Sequence, residues 1–267
     1  MKDIKSITFI GSGNVATHLA KSLFNEGIEI EQVYSQNIDN ALLLADEVQS
    51  IAIDNLININ SNADLYIVAI KDDAIANVLH QIIDKNIFIT HTSGGIPITV
   101  FEKNGFNNYG IFYPLQTFSK LKEINLLEVP FCIEANESQA ALVQLANQLS
   151  NSVHLVNSEQ RKKLHLAAVF ACNFTNYMYA IAEDLCIKNN VNFNILKPLI
   201  RETADKITFN HAKDVQTGPA IRGDEKIIED HISQLDDLIN YQEIYRLITQ
   251  SIVQSSVNGS QAKNNKH

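Results

Sequence analysis

The chain has 267 residues, of which 45% are hydrophobic and 19% charged, with 21 Lys and Arg against 30 Asp and Glu for a formal net charge of -9. It is too apolar for a disordered chain, and long enough for one large domain or two modest ones with their own cores. The longest basic run is Arg161-Lys162-Lys163, which leaves no electrostatic footprint for a phosphate backbone and argues against nucleic acid as a partner. Cys132, Cys172 and Cys186 form no Cys-x-x-Cys pair. Their odd number and wide spacing fit neither a disulfide framework nor a metal site and point to a reducing, cytoplasmic setting.

Met1 to Ser6 runs straight into an apolar stretch that ends in glycines, the pattern of a first strand and not of a signal peptide. Apolar segments then alternate with helical ones. Ile7 to Ile10, Ile30 to Tyr34, Leu65 to Ile70 and Ile87 to Thr90 read as strands, several apolar on both faces. Such strands separated by helices imply a parallel sheet covered on both sides. Val15, Leu19 and Leu23 share one helical face, and Ile75, Val78, Leu79 and Ile82 another, with Asp72 or Asp73 as its cap. Gly110 to Phe112 reads as a strand, and Phe131 to Ile133 and Val153 to Val156 as two more that flank a helix from Gln139 to Leu149.

From Ser158 a period of 3.6 takes over. One long helix runs to about Lys188, another spans Phe193 to about Thr208, and residues 224–256 give one or two more. Leu164 to Ile187 is mostly apolar, but His165, Asn173, Thr175, Asn176, Glu183 and Asp184 lie within it, and each charge would cost about 2–3 kcal/mol in lipid. The helix is therefore read as buried in protein, with no membrane as partner. The expected fold class is α/β: a Rossmann-type, doubly wound parallel sheet followed by an all-α C-terminal domain. The expected divisions are 1–157, 158–256 and a frayed tail over 257–267.

The Ile7 to Ile10 strand leads into Gly11-Ser12-Gly13-Asn14-Val15-Ala16 and then an amphipathic helix, the context in which a Gly-x-Gly-x-x-Gly/Ala run signals dinucleotide binding. Gly11 permits the tight turn, and Gly13 lets a pyrophosphate approach the backbone at the positive end of the helix. About 20 residues on, where an acid would take the ribose diol of NAD, stand Ser35 and Gln36. That favours NADP, yet no Lys, Arg or His lies between Lys21 and Lys71 to meet a 2′-phosphate, so NAD stays open. Ile70 and Lys71, and His91, Thr92 and Ser93, follow later strands and should border the nicotinamide half of the cofactor. For the last three, a turn held by local side-chain bonds is the alternative.

Taken with Tyr113-Pro114-Leu115-Gln116-Thr117-Phe118-Ser119, the segment Lys163 to Phe170 with Asn173 and Phe174, and Gly218-Pro219-Ala220-Ile221-Arg222-Gly223-Asp224, the chain resembles a family of oxidoreductases assigned as NADP-dependent. That family joins a Rossmann-like domain to a helical C-terminal domain of unknown function, and is distantly similar to pyrroline-5-carboxylate reductase, ketopantoate reductase and 6-phosphogluconate dehydrogenase. Relatives that prefer NADP tend to carry an arginine where Gln36 stands. The resemblance implies that hydride passes between the dinucleotide and a small carbonyl, imine or hydroxy compound, with His165 as the proton donor in reduction, Lys162 one turn earlier and Asn173 two turns later on the same helix. Packing of these polar groups inside a helix bundle is the alternative. Arg222 would clamp a substrate carboxylate or pair internally with Asp224 or Glu225, while Asp224 caps the next helix. Gln116 is a secondary polar contact. Relatives of this architecture dimerise through the helical domain, so a homodimer is expected. A dinucleotide sensor without turnover is the competing function.

Overall fold

The computed structural model describes residues 3–119 and 122–264, with side chains described as far as Ser256. The chain forms two compact units, Met1–Phe174 and Thr175–His267.

In the first unit, β1 (Ser6–Ile10), α1 (Asn14–Asn25), β2 (Glu29–Tyr34), α2 (Ile38–Glu47) and β3 (Ile51–Ile53) come first. They are followed by β4 (Leu65–Val68), α3 (Asp72–Gln81), β5 (Phe88–His91), α4 (Thr99–Lys103), β6 (Asn108–Pro114), β7 (Phe131–Ala135), α5 (Gln139–Leu149) and β8 (Val153–Leu155). The eight strands make one sheet in the order β3-β2-β1-β4-β5-β6-β7-β8. All neighbours are parallel except β6 and β7, which run antiparallel.

The cause is legible in the strands. Every residue of β1, β4 and β5 is buried, as expected where helices cover both faces. On one face Leu19 and Leu23 of α1 pack with Phe9, Val33 and Ile67; on the other Ile75, Val78 and Leu79 of α3 pack with Ile10, Val68 and Ile89. Each such side chain contributes about 1.5–3 kcal/mol through burial. β3 is three residues long, Ile51-Ala52-Ile53, too short to announce itself by periodicity. Asp72 and Asp73 occupy the first turn of α3 without capping it; Lys71 stands at the cap position.

The long helix of the second half begins as α6 (Ser158–Ala168), passes through a π-helical stretch, Val169–Phe174, and continues as α7 (Thr175–Lys188). The compact units part within this run, later than the change of periodicity at Asn157-Ser158. The reason is Arg161 on α6, which is 1% exposed and holds α6 to the sheet through Glu134 of β7 at 2.6 Å.

The second unit adds α8 (Lys197–Phe209), the single turn α9 (Pro219–Arg222), α10 (Glu225–Ser233) and α11 (Ile239–Asn264). Lys188 pairs with Asp237 at 2.5 Å, and His231 Nδ1 lies 2.9 Å from the Tyr245 hydroxyl. Asp224 stands at the cap position of α10 but makes no capping bond. Of the expected frayed tail over 257–267, the backbone to Asn264 belongs to α11; its side chains, and residues 265–267 altogether, lie outside the described residues. Among the described residues no helix is long and apolar enough to cross a membrane.

Candidate active site

The site lies at the carboxyl ends of β1, β4, β5 and β6, where the sheet order turns from β1 outward in both directions, the usual ligand position in such sheets. A cavity of about 840 Å³ opens there. Gly11, Ser12, Gly13, Asn14 and Val15 line it after β1, Ser35 and Gln36 after β2, Ile70 and Lys71 after β4, Thr92, Ser93 and Gly94 after β5, and Tyr113 and Gln116 at the end of β6. His165 of α6 lines it as well.

The two glycines of the first loop serve different ends. Gly11 has φ +122°, and a Cβ there would sit 2.3 Å from the Ala69 carbonyl oxygen, so the turn admits no side chain. A Cβ on Gly13 would meet nothing within 4 Å; its backbone faces open space at the start of α1, where the first N–H groups lack intrahelical partners. Ala16 is fully buried and packs α1 against the sheet, so of the expected loop residues it alone has no ligand-facing position. Asn14 donates from Nδ2 to the Phe118 carbonyl at 2.9 Å, and His18 Nε2 lies 2.9 Å from the Ser119 carbonyl. These bonds tie the segment after β6 across α1.

His91 does not enter the cavity. It is fully buried, stacked on Phe101 with centroids 5.3 Å apart, and accepts the Ser93 N–H at Nδ1 over 3.1 Å. Burial foremost, then the Arg161 guanidinium, hold its pKa down to about 3. The Ser93 hydroxyl oxygen accepts the N–H groups of Gly95 and Ile96 at 3.1 and 3.0 Å. His91 and Ser93 thus build the turn, and Thr92 turns to the cavity.

Around His165 the packing is close. The Tyr113 hydroxyl lies 3.2 Å from His165 Nδ1, and a Cβ on Gly94 would fall 2.6 Å from that same nitrogen. Burial foremost, with Cys132 and Asp72 adding to it, pushes the Tyr113 phenol up to about 12, so it is protonated at neutral pH. Four residues before His165, the Arg161 guanidinium donates to Glu134 Oε2 at 2.6 Å, to the Ile96 carbonyl at 2.6 Å and to Ser158 Oγ at 3.1 Å.

The other expected catalytic groups stand apart. Lys162 and Asn173 are exposed and do not line the cavity. The α-helical spacing that aligned Asn173 with His165 is broken within Val169–Phe174, where π-helical winding holds more residues per turn. Arg222 belongs to the second unit, where Nε and Nη2 each meet Asp224 Oδ2 at 2.7 Å. The internal pair, not the free clamp, is what forms, and it takes the Asp224 carboxylate away from capping. Tyr113 was legible only as part of the segment Tyr113 to Ser119 that carries the family resemblance, because its partner lies 52 residues away. The signal for Gly94 was the paired glycine Gly94-Gly95, a mark of close approach.

The fold and this cavity define a Rossmann-type dinucleotide-binding domain that carries a helical extension. The model for "NADP oxidoreductase coenzyme F420-dependent" matches residues 6–94, and a domain of unknown function, DUF2520, matches residues 129–252. A crystal structure from Bacteroides fragilis, assigned as an NADP oxidoreductase, is 46% identical with a TM-score of 0.89 and covers 94% of this chain and 98% of its own. The chain belongs to that family, NADP oxidoreductases with a DUF2520 domain. The fold is shared more distantly with a reductive aminase from Aspergillus terreus in complex with NADPH4, cyclohexanone and allyl amine, at 14% identity and a TM-score of 0.71 over 97% of this chain and 95% of that one. An imine reductase from Myxococcus stipitatus in complex with NADP+ gives 12% identity and a TM-score of 0.64 over 96% and 94%. Comparison with curated proteins yields no match.

Proposed function

We propose that the protein is an NADP-dependent reductase of a small carbonyl or imine compound, with His165 as proton donor. The observation that carries this reading is that His165 and the glycine loop Gly11 to Val15 line one cavity. The cofactor's pyrophosphate would lie over the open backbone of Gly13, and Thr92, Ser93, Ile70 and Lys71 border the nicotinamide half. Ser35, Gln36 and Asn40, all neutral, line the end beyond β2; they would hold the 2′-phosphate by hydrogen bonds alone. The bound dinucleotide supplies the hydride. His165 gives a proton to the oxygen or nitrogen on which negative charge develops, assistance worth about 10²- to 10⁴-fold. Gln116 orients the substrate.

NADPH at ~100 times its dissociation constant should stabilise the protein by about 2.7 kcal/mol, read as a rise in Tm. A substrate screen for NADPH oxidation, repeated with His165→Ala, tests the chemistry. No thermal shift with any nicotinamide dinucleotide overturns the proposal. Binding without turnover across the screen leaves a dinucleotide sensor in its place.

We also propose a homodimer through the second unit. Among its described residues Leu235 is the one buried hydrophobic side chain, while Phe209 is 87% exposed and Ile195 70%. So little core does not sustain a separate unit. A monomer at micromolar concentration in light scattering overturns this.

A further inference from the structure

We infer that Tyr113 is a positioning residue that fixes the His165 imidazole as the Nε2–H tautomer and turns that N–H toward the substrate, in the space that Gly94 leaves free. The inference deepens the proposed reductase function and rests on it for its catalytic meaning, though not for its test.

A neutral imidazole carries one proton, and which nitrogen holds it is set by the bond at the other. Tyr113 lies only 3.2 Å from Nδ1, with the rings edge to face at 74° and centroids 6.2 Å apart. The phenol is 8% exposed, so its O–H needs an acceptor, and an unmade buried bond is costly. Among the described residues Nδ1 is the acceptor within reach. If the phenol donates there, Nδ1 carries no proton and Nε2 must carry it.

Orientation comes from the same edge of the ring, where Gly94 and Tyr113 both meet it. Nδ1 and Cγ lie 2.6 and 2.8 Å from where a Gly94 Cβ would stand, so this edge of the imidazole rests directly on the loop after β5. Nε2 is the nitrogen left for a ligand, and His165 lines the cavity that the glycine loop also lines. A fixed donor aimed where charge develops needs no reorganisation during the reaction. Tyr113 thereby sets which nitrogen of His165 acts.

The test is the protonation state of each His165 nitrogen in the full-length protein, without cofactor or substrate. Two-bond ¹H–¹⁵N spectra of ¹⁵N-histidine-labelled protein are recorded at about pH 8.5, well above the ordinary imidazole value of about 6.5, and assigned with His165→Gln. The expected result is an unprotonated Nδ1 and a protonated Nε2. In Tyr113→Phe the Nε2–H to Nδ1–H ratio should fall by about 5-fold, the weight of one ordinary hydrogen bond. Gly94→Ala should shift the same signals by pushing the ring off the loop. A protonated Nδ1 in the wild type, or a ratio unchanged in a folded Tyr113→Phe, overturns the inference. If Tyr113→Phe does not fold, the wild-type spectrum and Gly94→Ala decide. Failure of NADPH to bind would sink the reductase reading and leave this one standing, while a wrong tautomer would do the reverse.

Discussion

Arg161 offers the sharpest test of how His165 is held. The guanidinium is 1% exposed and its partner Glu134 18%, and the same group also donates to the Ile96 carbonyl and to Ser158 Oγ. Arg161→Met keeps much of the stem but leaves Glu134 with the Ser158 hydroxyl at 2.7 Å and the Ile96 carbonyl without this donor. Removing one member of a buried pair costs about 3–5 kcal/mol, because the other charge remains buried without compensation. At about 2–4 °C per kcal/mol for a unit of this size, Tm should fall by roughly 6–20 °C. Glu134→Gln leaves the opposite charge stranded and should be comparably costly. The double substitution removes both charges, so it should cost less than the sum by about 1–3 kcal/mol. Urea unfolding of the four proteins measures this coupling. Single losses below about 1 kcal/mol, or additivity within about 0.5 kcal/mol, would refute the assignment of this pair as the anchor of α6.

The same geometry sets three further outcomes. His91, held at about 3 against an unfolded value near 6.5, is neutral in the native state. The unfolded chain therefore binds the extra proton as pH falls from 6.5 toward 3, and stability should drop by up to about 1.4 kcal/mol per pH unit. His91→Asn, which keeps an acceptor for the Ser93 N–H, should lose that slope in unfolding titrations; an unchanged slope would place the charge change elsewhere. Gly11→Ala should lower Tm and abolish the NADPH-induced shift together, since its Cβ collides with the Ala69 carbonyl. Gly94→Ala should depress turnover more than it depresses NADPH affinity, because it displaces His165; titration and kinetics of the one variant compare the two.

Where sequence reading succeeded, local chemistry and tertiary demand agreed. The strand, Gly11-x-Gly13 turn and helix of the first loop are all dictated by nearest neighbours, and the bounds of α5 are those of its apolar period. It fell short where a contact or a local winding other than the expected one governs the residue. His91 has the composition of a ligand-facing histidine, but Phe101 and the Ser93 N–H draw it into the core. Asp224 holds a capping position, but Arg222 takes its carboxylate. Asn173 has α-helical spacing from His165 on paper, and a π-turn leaves no mark in a hydrophobic pattern. Tyr113, the neighbour that matters most to His165, approaches it only once the sheet and α6 have packed.

Gly11 and Gly13 are the same residue for opposite reasons. The first answers inward, to a carbonyl beside its own sheet; the second faces open space in which a Cβ would meet nothing. Gly13 has φ -75° and ψ -173°, values any residue adopts, so a methyl group there would scarcely disturb folding while standing in the path of a pyrophosphate. On the proposed function, the needs of folding and of ligand binding are thus written two positions apart and separable by mutation. Gly13→Ala should give a folded chain blind to dinucleotide, a control that no residue of the sheet provides.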